Sequence, residues 1–192
     1  MRRLIVILYM AAALLSSCGV VKQSGVSSTR GIPSTFFNCA LGSTPSFVNF
    51  TMNRQYYYGN RGGASRYKLL PLGKRQIKSG MTYDGVPYGG YTWQEASFLF
   101  DYRDRFFCMA FMQEFSNPDY ARLRFNDIKS TLDTKYGIGE AIQYGVRYGN
   151  PQGKCIILSI VPIPKKEGEV CCLYYMDEKI YQTSTAAATE EL

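Results

Sequence analysis

Two stretches carry apolar residues at helical spacing. In "STPSFVNFTMNRQYYYG", Thr44 predicts an N-cap and Pro45 the first helical position; Val48, Met52 and Tyr56 share a face, and Gly59 predicts the stop. "NPDYARLRFNDIKSTLDTKYG" repeats that grammar. Asn117 caps, Pro118 opens, Asp119 suits the positive end of the helix dipole, and Ala121, Phe125, Ile128, Leu132 and Tyr136 line one face before Gly137.

Strand patterns follow each helix. "QEASFLFDYRDRFFCMAFM" predicts a hairpin, with Ala96, Phe98, Phe100 and Tyr102 alternating along one arm, a turn at Arg103 and Asp104, and a second arm from Phe106 to Met112. Further on, Ile142, Tyr144, Val146 and Tyr148 alternate with polar or small residues as one strand, and "NPQG" turns. Cys155 to Val161 is a nearly continuous apolar strand, "PIPKKEGE" turns again, and Val170 to Met176 closes the sheet. Between Asn60 and Tyr91 the Gly- and Tyr-rich chain predicts only a strand near Tyr83. A helix followed by antiparallel strands, twice, predicts an α+β fold: a two-layer sandwich of an antiparallel sheet with two helices and an αββ internal duplication. The expected single domain covers 35–182, and 183–192 lacks a packing pattern and reads as a disordered tail.

The start of the chain has a different character. Met1, Arg2 and Arg3 precede an apolar run from Leu4 to Leu15, too short to span a bilayer, which needs ~20 apolar residues, but suited to a secretory leader. The run ends in "LSSC" at Leu15 to Cys18, which resembles the lipobox of bacterial lipoproteins. That resemblance implies removal of residues 1–17 as a signal peptide, a diacylglyceryl thioether on Cys18, and acylation, as by palmitate, of the new amine. Such acyl chains, at ~0.8 kcal/mol per buried methylene, would hold the protein on a membrane. Residues 18–34 are Gly- and Ser-rich without an acid and read as a flexible tether. By the same resemblance to lipoproteins, Gly19, in place of an Asp after the lipidated Cys, implies the outer membrane, facing the periplasm.

Charge sharpens this picture. From Cys18 to Tyr83 there are nine basic residues and no acid, whereas from Asp84 on there are eleven basic residues and all fifteen acids. The basic stretch "RQYYYGNRGGASRYKLLPLGKRQIK" interleaves Arg54, Arg61, Arg66, Lys68, Lys74, Arg75 and Lys78 with tyrosines, a candidate patch for an anionic partner. In an exported chain that partner is an envelope protein, anionic lipid or lipopolysaccharide rather than nucleic acid. "GSTPSFV", opening a helix soon after the lipidated terminus, together with the order of elements over 36–176, resembles small envelope lipoproteins with an αββ core, which implies binding or scaffolding without catalysis. The long basic insertion after the first helix departs from that pattern.

The available chemistry is narrow. With no histidine, the common nucleophile arrangements and histidine metal sites are excluded. Cys39, Cys108, Cys155, Cys171 and Cys172 lack zinc-like or redox spacing, and the adjacent pair would point to opposite faces of a strand. They read either as small core hydrophobes or as carrying one disulfide from Cys155 to Cys171 or Cys172. Asp84, Glu95, Asp101, Asp104, Glu114 and Glu140 are the candidate catalytic carboxylates, and spacing alone brings no two of them together. The expectation is a lipid-anchored binding or scaffolding module without metal, cofactor or catalytic residues. The alternatives are an envelope hydrolase acting on glycan or peptide through carboxylates, and a surface appendage or adhesin subunit.

Overall fold

The computed structural model describes residues 31–55, 77–149, 153–163 and 166–183. A small hairpin, β1 (Thr35–Phe36) and β2 (Cys39–Ala40), precedes helix α1 (Pro45–Arg54). Three long strands follow: β3 (Ser79–Tyr88), β4 (Tyr91–Phe100) and β5 (Phe106–Phe115). Helix α2 (Pro118–Tyr136) leads to β6 (Glu140–Ile142), β7 (Gly145–Gly149), β8 (Lys154–Pro162) and β9 (Glu169–Asp177). A helical turn, α3, covers 178–183. Strands β3 to β9 form one antiparallel sheet in the order β3-β4-β5-β9-β8-β7-β6, so the fold class is α+β.

Both main helices start as their caps dictate. The Thr44 hydroxyl accepts from the Phe47 N–H at 3.4 Å, and the Asn117 side chain accepts from the Asp119 N–H at 2.8 Å, each followed by proline at the first position. Helix α1 buries Val48 and Met52 but ends at Arg54, short of the expected Gly59. Its end is tied off by Gln55, whose side-chain amide donates to Phe37 O at 2.7 Å and Thr51 O at 3.3 Å. Helix α2 buries Ala121, Ile128 and Leu132 against the sheet, with Phe125 and Tyr136 half-buried beside them.

The strands differ from their sequence patterns in three places. β3 is a full ten-residue strand although its sequence, SGMTYDGVPY, contains two glycines and a proline. It lies at the sheet edge, where Pro87 forfeits no ladder bond, and Gly85 takes a positive φ of 66°. The alternation from Ile142 to Tyr148 is a hairpin rather than one strand, because a two-residue turn at Gln143 and Tyr144, the latter at φ 66°, splits it into β6 and β7. Finally, β9 sits at the centre of the sheet between β5 and β8 rather than closing an edge.

The sheet is buried on both faces. One face carries Phe98, Phe106, Phe111, Leu158, Leu173 and Tyr175 and packs against Val48, Met52, Ile128 and Leu132 of the helices. The other carries Leu99, Phe107, Ala110, Ile157, Val170 and Tyr174, with Ile77, Ile180 and Tyr181 packed against it. Burial on two sides explains why β5, β8 and β9 read as continuous apolar runs instead of alternating. Core packing already includes Ile32, three residues before the expected domain start.

Candidate functional site

Of the basic patch, only Arg54 and Lys78 lie within the described residues. Arg54 ends α1 with its guanidinium 5.6 Å from the centre of the Phe50 ring. The Lys78 ammonium meets the Asp104 carboxylate at 2.8 Å, an exposed pair of small energetic value. Cys18, Arg61, Arg66, Lys68, Lys74 and Arg75 lie outside the described residues.

The candidate carboxylates are mostly structural. Asp101 is fully buried and accepts from the Arg103 and Arg105 N–H groups at 3.0 and 2.8 Å and from the Arg105 guanidinium at 2.9 and 2.7 Å. It thereby builds the β4–β5 turn, in which Asp104 takes a φ of 56°. Glu140 faces Arg147 at 3.6 Å, and Arg147 also bonds Glu178. The Glu114 N–H donates to the Gln94 side chain at 3.1 Å. Strand pairing does what spacing did not reveal: Asp84 and Glu95 are register partners across β3 and β4, one exposed and one buried.

The five cysteines among the described residues are free and buried. Cys171 belongs to the helix-covered core and Cys172 to the opposite one, as strand geometry requires of neighbours. Although β8 and β9 are adjacent, Cys155 pairs with Met176, Cys171 with Ile160 and Cys172 with Ser159, so the register separates the cysteines expected to form a disulfide. Among the described residues no three metal-ligating side chains come together.

Among the described residues a cavity of about 320 Å³ lies between α2 and the β3–β4 turn. Three pieces of chain form it. The turn supplies Tyr88, Gly89, Tyr91 and Trp93; α2 supplies Ile128, Thr131, Leu132, Lys135 and Tyr136; Leu173 and Tyr175 of β9 complete the lining. Gly89 and Gly90 make the turn possible, with φ of 62° and 83°, the two positive values that a tight hairpin turn demands. An added Cβ at Gly89 would meet nothing within 4 Å, so the glycine leaves open space.

The aromatic walls are fixed by their own contacts. The buried Trp93 indole donates to Tyr88 O at 3.1 Å, and the Tyr88 ring stacks on Phe111 at 4.3 Å. Tyr91 donates its hydroxyl to Asp127, while the Arg124 guanidinium covers its ring at 4.2 Å. Asp127 and Arg124 are three residues apart on α2, so one helical turn grips the rim of the cavity. Burial, reinforced by the nearby Tyr88 and Tyr136, pushes the Tyr175 hydroxyl well above its ordinary pKa, and burial also raises that of Tyr88. These phenols therefore stay protonated, and they hydrogen-bond to each other. The Tyr136 oxygen is buried without a hydrogen-bond partner, and the Lys135 ammonium lies 5.1 Å from the Tyr136 ring.

The sequence patterns marked Ile128, Leu132 and Tyr136 as core positions but not as cavity walls. The Gly89, Gly90 pair flanked by Tyr88 and Tyr91 was the available signal, since it predicts a tight turn carrying aromatic rings. No family model matches the chain, and no curated protein and no solved structure proves similar to it.

Proposed function

We propose that this chain is a lipid-anchored cell-envelope protein whose α+β domain is a binding module, and that the cavity beside α2 is its binding site. The observation that carries the binding role is the cavity lining, which is rigid and aromatic with one ammonium and several phenols. Ligand pockets have this makeup: a mostly apolar surface with a few placed polar groups. The envelope address rests on the leader, the LSSC motif and Cys18. The basic stretch from Arg54 to Lys78 would face an envelope protein, anionic lipid or lipopolysaccharide, leaving the cavity to a separate ligand.

The domain is on this reading a two-layer sandwich that arose by duplication. Supporting this, each main helix precedes a run of antiparallel strands, β3 to β5 after α1 and β6 to β9 after α2, and the last strand of each half, β5 and β9, meets its counterpart at the sheet centre.

The test is a photoreactive residue at Thr131, an exposed position on the cavity side of α2, irradiated in living cells, with Asn126 as the control position. A discrete adduct in the membrane fraction from position 131 and none from 126 is expected. Equal labelling from both, or none from 131, would remove the cavity as the binding site.

A further inference from the structure

Building on the reading of the cavity as the binding site, we infer that its ligand is a small molecule with a ring-sized apolar body and a single carboxylate. Volume sets the scale, since 320 Å³ is at the low end of ligand pockets, which run from ~300 to ~1,000 Å³. The walls set the shape. Tyr88, half-buried, is held by its stack on Phe111, and the fully buried Trp93 behind the turn by its bond to Tyr88 O, so the aromatic wall exists before a ligand arrives and little ordering cost remains.

Two neighbours on α2 set the charge. Lys135 is the charged residue of the lining, its ammonium lies 5.1 Å from the Tyr136 ring, and none of the ion pairs among the described residues includes it. Next to it the Tyr136 hydroxyl oxygen is buried and unpaired, an unfavourable situation relieved by any acceptor that reaches it. One carboxylate meets both needs: an oxygen accepts from Tyr136, and the single negative charge faces the single ammonium. A ligand ammonium would offer Tyr136 no acceptor and would be repelled by Lys135. A doubly charged phosphate would bring more charge than one lysine offsets. The nearby acid Asp127 is already engaged by Tyr91 at the rim.

The chain has one tryptophan, Trp93, so its fluorescence reports on this cavity. The full-length protein would be titrated with 4-phenylbutyrate, its amide and 4-phenylbutylamine, which share a body and differ in the end group. Saturable binding of the carboxylate is expected, with the amide at least tenfold weaker and the amine weaker still. Lys135→Met, which keeps the apolar stem, should erase most of that preference, and Tyr136→Phe should weaken the carboxylate and the amide, both of which offer an acceptor, but not the amine. Equal binding of all three compounds would overturn the carboxylate assignment and leave the cavity as a binding site. Binding by none of them, or binding that Thr131→Phe fails to obstruct, would overturn the cavity reading itself. A peptide ending in phenylalanine that binds a hundredfold more tightly than phenylbutyrate would overturn the small-molecule assignment in favour of a chain terminus.

Discussion

The hydroxyl of Tyr148 on β7 donates to Asp133 near the end of α2 at 2.8 Å, tying the back half of the sheet to the helix that covers it. Lys129 reaches the other oxygen of the same carboxylate at 2.6 Å. Burial raises the Asp133 pKa, but the bonds from Lys129 and Tyr148, with help from the Gly139 backbone, outweigh it and leave the group below its ordinary value. A carboxyl depressed in the folded state stabilises the fold above the unfolded value of ~3.9, and that contribution is lost as pH falls through the folded value. Tyr148→Phe should therefore cost ~1 kcal/mol at neutral pH and make the acid decline of stability shallower. Urea unfolding from pH 7 down to pH 2 checks both; an unchanged acid slope would show that the bond does not tune Asp133.

The thiols govern the alkaline side. Burial pushes Cys155, Cys171 and Cys172 up to about 12, whereas an unfolded thiol titrates near ~8.5. With the folded value raised, the unfolded chain releases protons that the native state retains, so stability should fall as pH rises from ~8.5 towards 12. Cys172→Ala should flatten that decline. In a Cys18→Ser background, a thiol reagent at pH 7 should label none of the five remaining cysteines in the native state and all five in denaturant. Rapid native labelling of any one would contradict their burial.

Strand β7 offers a pair of glycines with opposite expectations. A Cβ at Gly145 would stand 2.1 Å from Leu158 O, a backbone atom that cannot swing away, while at Gly149 the nearest atom is Arg147 Nη1 at 3.9 Å. Gly145→Ala should destabilise by ~2 kcal/mol or more, and Gly149→Ala should stay within ~0.5 kcal/mol. Thermal unfolding of both variants decides, and equal effects would place β7 differently against β8.

Across β3 and β4, the buried hydroxyls of Thr82 and Ser97 share a 2.8 Å hydrogen bond. Removing one partner strands the other, so Ser97→Ala should cost ~1–3 kcal/mol. Replacing both, as Thr82→Val with Ser97→Ala, should recover much of that loss. A double variant whose cost equals the sum of the singles would mean that the two hydroxyls do not depend on each other.

The helices were legible because caps and periodicity agree: Asn117, Pro118 and the stripe from Ala121 to Leu132 mark α2 directly. The end of α1 was hidden, since Gln55 terminates it through a bond to Phe37, a partner eighteen residues away that no local pattern reveals. The β1–β2 hairpin was missed for a similar reason. Its turn places Phe37 and Asn38 at positive φ without a glycine, and the Phe37 ring is held near Tyr88, Phe98 and Phe111 by tertiary packing. β3 was blurred by Gly85 and Pro87, which an edge strand tolerates.

The cavity depends on pairing that periodicity does not encode. Its rings come from the β3–β4 turn, its ammonium from α2 and its floor from β9, and the central position of β9 brings them together. Lys135 lies in the last turn of α2, beside the favourable dipole end, a position whose helical context alone gives no sign of a cavity.

The measurement closest to the central claim is the mass of the N-terminal peptide of the protein recovered from the membrane fraction of its native cells. A lipid-anchored envelope module predicts a peptide that begins at Cys18 and carries a diacylglyceryl thioether, with or without an acylated amine. A peptide that begins at Met1, or an unmodified Cys18 within an intact leader, would contradict the envelope address and return the basic stretch to partners inside the cell.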